Sequence, residues 1–219
     1  MTRNELIAQV ALRMDEITPG TAINVTVDGA DNNPLYALID GIADDCAIEL
    51  YSFAPYWRLP QTAFPAANII VEAIPNDPDE RKYIRLKLPD DFLRVAEIDS
   101  VYFLRPITEV VPEQAPEGKK QHNRFLMGKE AKPVGVLSHG VWSSQQCREI
   151  DCYSLDKDAV VSAQSGLSAS YIAKPASAQT VMSLLIPALE WLIASKAFGA
   201  RGDEPHARIC QLTAQSLLI

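Results

Sequence analysis

The stretch "VMSLLIPALEWLIASKAF", residues 181–198, constrains the fold more than any other part of the chain. Between Val181 and Ile193 its only polar side chains are Ser183 and Glu190. A helix that is apolar on all sides has to be buried on more than one side. Pro187 either kinks the segment or begins its main body. The stretch is too short and too interrupted, by Pro187, Glu190 and Lys196, to span a bilayer, which takes about 20 apolar residues. In a small helical unit, part of such a surface stays exposed unless a second subunit covers it. An oligomer is therefore expected, with Val181, Leu184, Leu185, Leu189 and Trp191 at the subunit interface.

The partners of this helix are read from the two ends of the chain. Leu6, Val10, Met14 and Ile17 recur at helical spacing and predict a helix over 4–17, ended by "TPG". Residues 32–53 predict a second, with Asn33 as cap and Pro34 in the first helical position. Leu35, Leu38, Ile39, Ile42, Cys46 and Leu50 form its apolar stripe, about 120° wide at 100° per residue. Glu49 falls inside that stripe and needs a basic partner, for which Lys196 and Arg208 are the candidates. After the third helix, at 180–199, "RGDEPHARICQLTAQSLL" predicts a fourth over 204–218. Asp203 is its cap, so Gly202 and Asp203 of the "RGD" tripeptide are read as a helix end and a helix start.

Between these helices the period changes to two. "YIRLKL" alternates Ile84, Leu86 and Leu88 with Tyr83, Arg85 and Lys87, the pattern of a half-buried strand. "PDD" then makes a turn that docks Phe92 and Val95 ahead of "AEIDSVYF". "NIIVEAI", "RFLMG", "VGVLS", "EIDCYSL" and "ASYIAKPA" are further strand candidates. No crossover helix lies between them, which favours antiparallel pairing. The expected fold class is α+β: a four-helix bundle of the N- and C-terminal helices (1–67 and 176–219) carrying an inserted, mostly antiparallel β domain (68–175). The aromatic, proline-rich run 51–64 is expected to plug a junction between elements.

The 219 residues carry a formal charge of −8, against a general nucleic-acid binder. The acidity is concentrated in residues 1–80, with 3 basic and 13 acidic side chains. No signal peptide opens the chain, so a reducing, cytoplasmic setting with free thiols is expected. No catalytic, cofactor or metal site is assigned. His139, Cys147 and Cys152 lack the spacing of a zinc site, and His139 has no orienting acid nearby in sequence. "PEGKKQ" lacks the remainder of a phosphate loop.

The order helix, helix, β insertion, helix, helix, with "LKLPDDFLRVAEI", "SYIAKPA" and "LIPALEWLIASKAF" at its joints, resembles the head-to-tail connector (adaptor, or ring) proteins of tailed bacteriophages. The resemblance is nearest to the portal-proximal rings of crAss-like and podovirus-like phages. It rests on Leu88, Pro89, Asp91, Phe92 and Arg94 in the turn and on Ala194 and Ser195 in the third helix. It implies a non-enzymatic virion protein at the head–tail interface, present in the host cytoplasm during assembly. Copies would form a twelve-fold ring against the portal protein and adjacent tail or ring proteins. Genomic DNA would pass through without specific binding, and no membrane is involved. Within such a ring, Asp40 and Asp44 are expected to face the DNA channel as a negative collar, since they lie opposite the predicted stripe of the second helix. Two other classes stay open: a carbohydrate- or host-binding tail module resting on the aromatic run, and a cysteine-dependent enzyme resting on Cys147 and His139.

Overall fold

The computed structural model describes residues 1–17, 34–74, 77, 80–121, 123, 125–129, 131–142, 145–155 and 166–219. The fold is α+β, and the chain divides into two compact units. Met1–Leu59 and Lys174–Ile219 make the helical unit, and Pro60–Ala173 the β unit.

The helical unit contains α1 (Arg3–Ile17), α2 (Pro34–Phe53), α4 (Ile186–Ala200) and α5 (Glu204–Ser216). Pro34 opens α2 as its position in the sequence suggests; Asn33 and "TPG" lie outside the described residues. Pro187 begins the body of α4 and does not kink it, because its missing N–H falls where a helix has no acceptor for one. Gly202 takes a positive φ of 80°, and the Asp203 carboxylate accepts from the His206 backbone N–H. The "RGD" tripeptide is thus the joint between α4 and α5.

α4 packs on α1, α2 and α5 together, which corrects the interface assignment. Val181, Leu185 and Leu189 are buried in the unit's own core, and Trp191 is half-buried under the Arg13 guanidinium, 5.4 Å from its ring centroid. Of the five residues assigned to a subunit contact, Leu184 alone is exposed, at 66 %. Three neighbouring helices supply the many-sided burial that an all-round apolar helix demands. Ser183–Ala200 is apolar enough by composition to cross a membrane, yet 56 % of it is buried inside the fold. α4 alone has 15 residues, short of the roughly 20 a span needs.

α2 sits in a different rotational phase from the one its large residues predict. Ile39, Cys46 and Leu50 are buried as expected, but Tyr36, Ala43, Ala47 and Tyr51 join them while Leu35, Leu38 and Ile42 stay half-buried. The buried stripe is turned by roughly 60° at 100° per residue. Ala43 and Ala47 form a low surface that lets α4 approach closely, and close packing outweighs the bulk of the leucines.

The β unit holds two sheets. β1 (Thr62–Ala63), β8 (Leu167–Ala173) and β4 (Phe92–Ser100) form an antiparallel sheet in that order. β2 (Ile69–Ala73), β3 (Lys82–Lys87), β7 (Gln145–Leu155), β6 (Val134–Trp142) and β5 (Val110–Pro112) form the other. Residues 60–67, grouped with the helices on sequence, belong to this unit, since Thr62 and Ala63 pair with Tyr171 and Ser170. "PDD" is the point where the chain changes sheets: the Phe92 N–H bonds the Pro89 carbonyl, and the Asp91 carboxylate accepts from the Tyr171 hydroxyl at 3.0 Å. Two bulges in β4 let both Val95 and Ala96 turn inward. Ile84, Leu86, Ile150 and Cys152 from one sheet meet Phe92, Val95, Ile98 and Tyr171 from the other in a single core.

Among the described strands the pairing is mostly antiparallel as expected, with one parallel exception and one failed strand candidate. β5 pairs parallel with β6, through a connection containing the short helix α3 (Pro116–Lys120), so the second sheet is mixed. Within "RFLMG", residues 125–127 form turns and bends, with Phe125 and Leu126 exposed and Met127 buried; Arg124 lies outside the described residues. The "VGVLS" candidate is a strand and runs on through His139 and Gly140 to Trp142 as β6. The aromatic run 51–64 does not act as one plug: Tyr51 is buried in the helical unit, Phe64 lies in the β core, and Trp57 is 71 % exposed.

If α4 is core and not interface, truncations along it should separate cleanly. Leu189→Ala, at a site with no exposure, is expected to cost about 2–5 kcal/mol. Leu184→Ala is expected to stay within about 0.5 kcal/mol of the parent. Urea denaturation of the isolated chain reads both, and equal small losses would contradict the packing described.

Candidate functional site

The acidic face of α2 is built differently from the expectation. Because the buried stripe is rotated, Asp40 and Asp44 sit at its border and not opposite it. Both carboxylates are held by Arg3 of α1, with its Nε and Nη1 each 2.6 Å from a carboxylate oxygen. Asp44 also accepts from the Ala178 backbone N–H at 2.8 Å, and that bond, with Arg3, holds its carboxyl below the usual carboxylate range. The two acids therefore have a local use: they tie α2 to α1 and to the turn before α4. The reason for placing them on a DNA channel, that they lie opposite the core stripe of α2, no longer holds. Lys196 does reach Glu49, at 2.9 Å, with both side chains partly solvated. Buried Glu190 is met by Arg13 at 3.2 Å across α1 and α4.

α5 is one of several elements of this unit with exposed apolar side chains, beside Leu12 of α1, Phe53 of α2 and Leu184. It buries Ala207, Cys210 and Ala214 and turns Ile209 (50 % exposed) and Leu212 (58 %) outward, one helical turn apart. Leu217 and Ile219 continue the exposed apolar surface at the chain end, where Arg58 donates to both their carbonyls.

In the β unit the structure assembles a cluster that the sequence reading passed over. Tyr83 and Arg85 of β3 stand in register with Tyr153 and Asp151 of β7, and Ser138 of β6 stands opposite Glu149. All share the outer face of the five-stranded sheet, because residues two apart on a strand point the same way. Arg85 is chelated by Asp151 through Nε and Nη2 at 2.8 and 3.1 Å, and also meets Glu149 and Glu72 at 3.3 Å. Its guanidinium lies 5.0 Å over the Tyr83 ring, and Tyr83 stacks on Tyr153 at 5.5 Å. Glu149 and Asp151 are buried, and burial raises both carboxyls despite Arg85. Gly140 makes room for Glu149: a Cβ there would come within 2.3 Å of the carboxylate. Tyr83, Arg85, Ser138, Glu149, Asp151 and Tyr153 line a cleft of about 340 Å³, to which His139 of β6 and Gln121 and Glu113 from the β5–β6 connection also contribute. The signal available in the sequence was the opposed alternation of "YIR" and "EID", whose charged positions face each other once the strands pair.

The cysteines are free. Cys152 is sealed in the core and its thiol is pushed up by burial; Cys46, also buried, is pushed up to about 12. His139 stands opposite Arg148 and Cys147 opposite Gly140, so the register does not pair the two. Among the described residues no group of three or more His, Cys, Asp or Glu side chains is arranged to hold a metal ion. No protein-family model matches the chain, and no curated protein matches it significantly.

The raised carboxyls fix a sign for pH dependence. The folded chain keeps these protons to higher pH than the unfolded chain does, so stability from this source falls as pH rises through the folded values. Glu149→Gln removes one such ionisation. It is expected to raise the Tm at pH 7, with the gain shrinking toward about pH 4.5, the ordinary carboxylate range. Scanning calorimetry at both pH values checks this; a lowered Tm at pH 7 would mean that the Arg85 contact outweighs the burial.

Proposed function

We propose that the chain is a non-enzymatic structural subunit of a tailed-phage head–tail connector. In this reading the terminal helices act as a four-helix bundle, and copies form a closed, twelve-fold ring against the portal protein and the next tail or ring proteins. The observation that carries it is the outward Ile209 and Leu212 pair on α5, continued by Leu217 and Ile219. This is apolar surface left over after α4 has been satisfied inside the unit, and such patches on soluble chains mark contacts with other proteins. Those side chains take over the interface role first given to α4. The layout of helices at both chain ends around an inserted β unit supports the same reading through the resemblance stated above.

DNA passage in such a ring is helped by the charge of −8 on every copy, since phosphate affinity needs cations. With Arg3 bound to Asp40 and Asp44, a negative collar would draw on the whole acidic surface and not on those two side chains alone. The exposed Trp57, edge-on to Tyr56 with ring centroids 5.4 Å apart, is the observation favouring a carbohydrate-binding tail module instead. Saturable glycan binding by the monomer would select that reading.

Native mass spectrometry of the chain, alone and mixed with the portal protein of the same genome, tests the proposal. The expected result is a single closed oligomer in at least one of the two samples, burying on the order of 800 Å² per partner at each contact. Ile209→Glu with Leu212→Glu should abolish it while leaving the monomer's circular dichroism unchanged. A chain that stays monomeric in both samples would overturn the reading.

A further inference from the structure

The cluster around Arg85 carries more negative charge than it neutralises. Glu72, Glu149 and Asp151 converge on one guanidinium, which leaves an excess of two negative charges when all three are ionised. Two of these carboxylates are buried, where an uncompensated charge is costly. Ser138 adds an independent observation. It lines the same cleft, keeps 8 % of its surface, and its hydroxyl has no hydrogen-bond partner of proper geometry, although it lies near enough to Glu149 to favour that carboxylate's charge. A buried hydroxyl left open beside a half-neutralised carboxylate is an acceptor waiting for a donor.

We propose that this cleft is a binding site for an organic cation, an alkylguanidinium or alkylammonium group seated against Glu149 and Ser138. Each feature selects that chemistry. An anion is repelled by the carboxylates. A compact metal ion is disfavoured by the Arg85 guanidinium at their centre. A flat or alkyl-borne cation can donate to Glu149 and Ser138 while its apolar stem lies against Val136 and Ile74, which also line the cleft. Gly140 keeps the Glu149 carboxylate in place toward the cleft. The cation can come from a basic side chain of a neighbouring protein or from a free polyamine. The inference does not depend on the connector reading.

Amide-resolved NMR titration of the whole chain tests it. The probes are agmatine, spermidine, N-acetylarginine amide and, as a neutral control of the same shape, N-acetylcitrulline amide. Saturable shifts at Ser138, Gly140 and Glu149 are expected with at least one cationic probe and not with the citrulline derivative. Preference for N-acetylarginine amide points to a protein side chain, and preference for spermidine to a free polyamine; either supports the site. Glu149→Gln, which keeps the shape of the side chain, is expected to weaken binding about tenfold or more, and Ser138→Ala to weaken it without changing the charge. No saturable shift with any cation, equal shifts with the citrulline derivative, or unchanged affinity in Glu149→Gln would overturn the proposal.

Discussion

Everything in the helical unit depends on the burial of α4 by α1, α2 and α5. Leu189, Leu192, Ile193 and Ala194 are all but inaccessible, and Ser195 is drawn in with them because its hydroxyl bonds the Ala207 carbonyl of α5 at 2.8 Å. Each fully buried aliphatic side chain contributes about 1.5–3 kcal/mol relative to its exposed state. α4 buries nine of its 15 residues, against seven of 20 in α2. The arrangement also closes the chain on itself: α1 and α2 from one end, and α5 from the other, meet on the same helix. Polar ties then fix the phase of each neighbour. Arg13 to Glu190 sets α1 against α4, and Arg3 to Asp40 and Asp44 sets α1 against α2.

The β unit follows a different logic. Its sheets share one apolar core, and that burial is sufficient for the strands to pair. The outer face of the larger sheet is then available for polar groups. A guanidinium with three acids, two of them buried, contributes little to stability, since desolvation offsets most of what pairing returns. Charge retained at such a cost, in a cleft, is better understood as binding chemistry than as a fastening.

The legible parts of the fold were those where a single local rule acts alone. Pro34 and Pro187 mark helix starts because a ring without an N–H fits only there. Gly202 and Asp203 mark a joint because one tolerates a positive φ and the other caps. Ile84 and Leu86 read as core through strict alternation. What was illegible depends on partners distant in sequence. Ala43 and Ala47 displaced the leucines of α2 because α4 approaches over them, and small residues carry no signal of their own. The parallel pairing of β5 with β6 turned on a three-residue strand and a five-residue helix, both too short to show a period. Arg85, Glu149 and Asp151 lie on strands about 65 residues apart in sequence, and only the register sets them side by side. All-round apolarity in residues 181–193 was read correctly as a demand for burial, but its satisfaction was assigned to another copy when the chain's own helices supply it.

The central claim is that α4 belongs to the chain's own core, which leaves the outer face of α5 free for the assembly proposed above. Hydrogen–deuterium exchange of the free chain, and of the chain in the proposed assembly with a portal protein, measures this directly. The account predicts that amides of residues 189–198 are the slowest to exchange in the free chain and change little on assembly, while residues 204–216 gain protection. Rapid exchange along α4 in the free chain, slowed only in the assembled state, would contradict it.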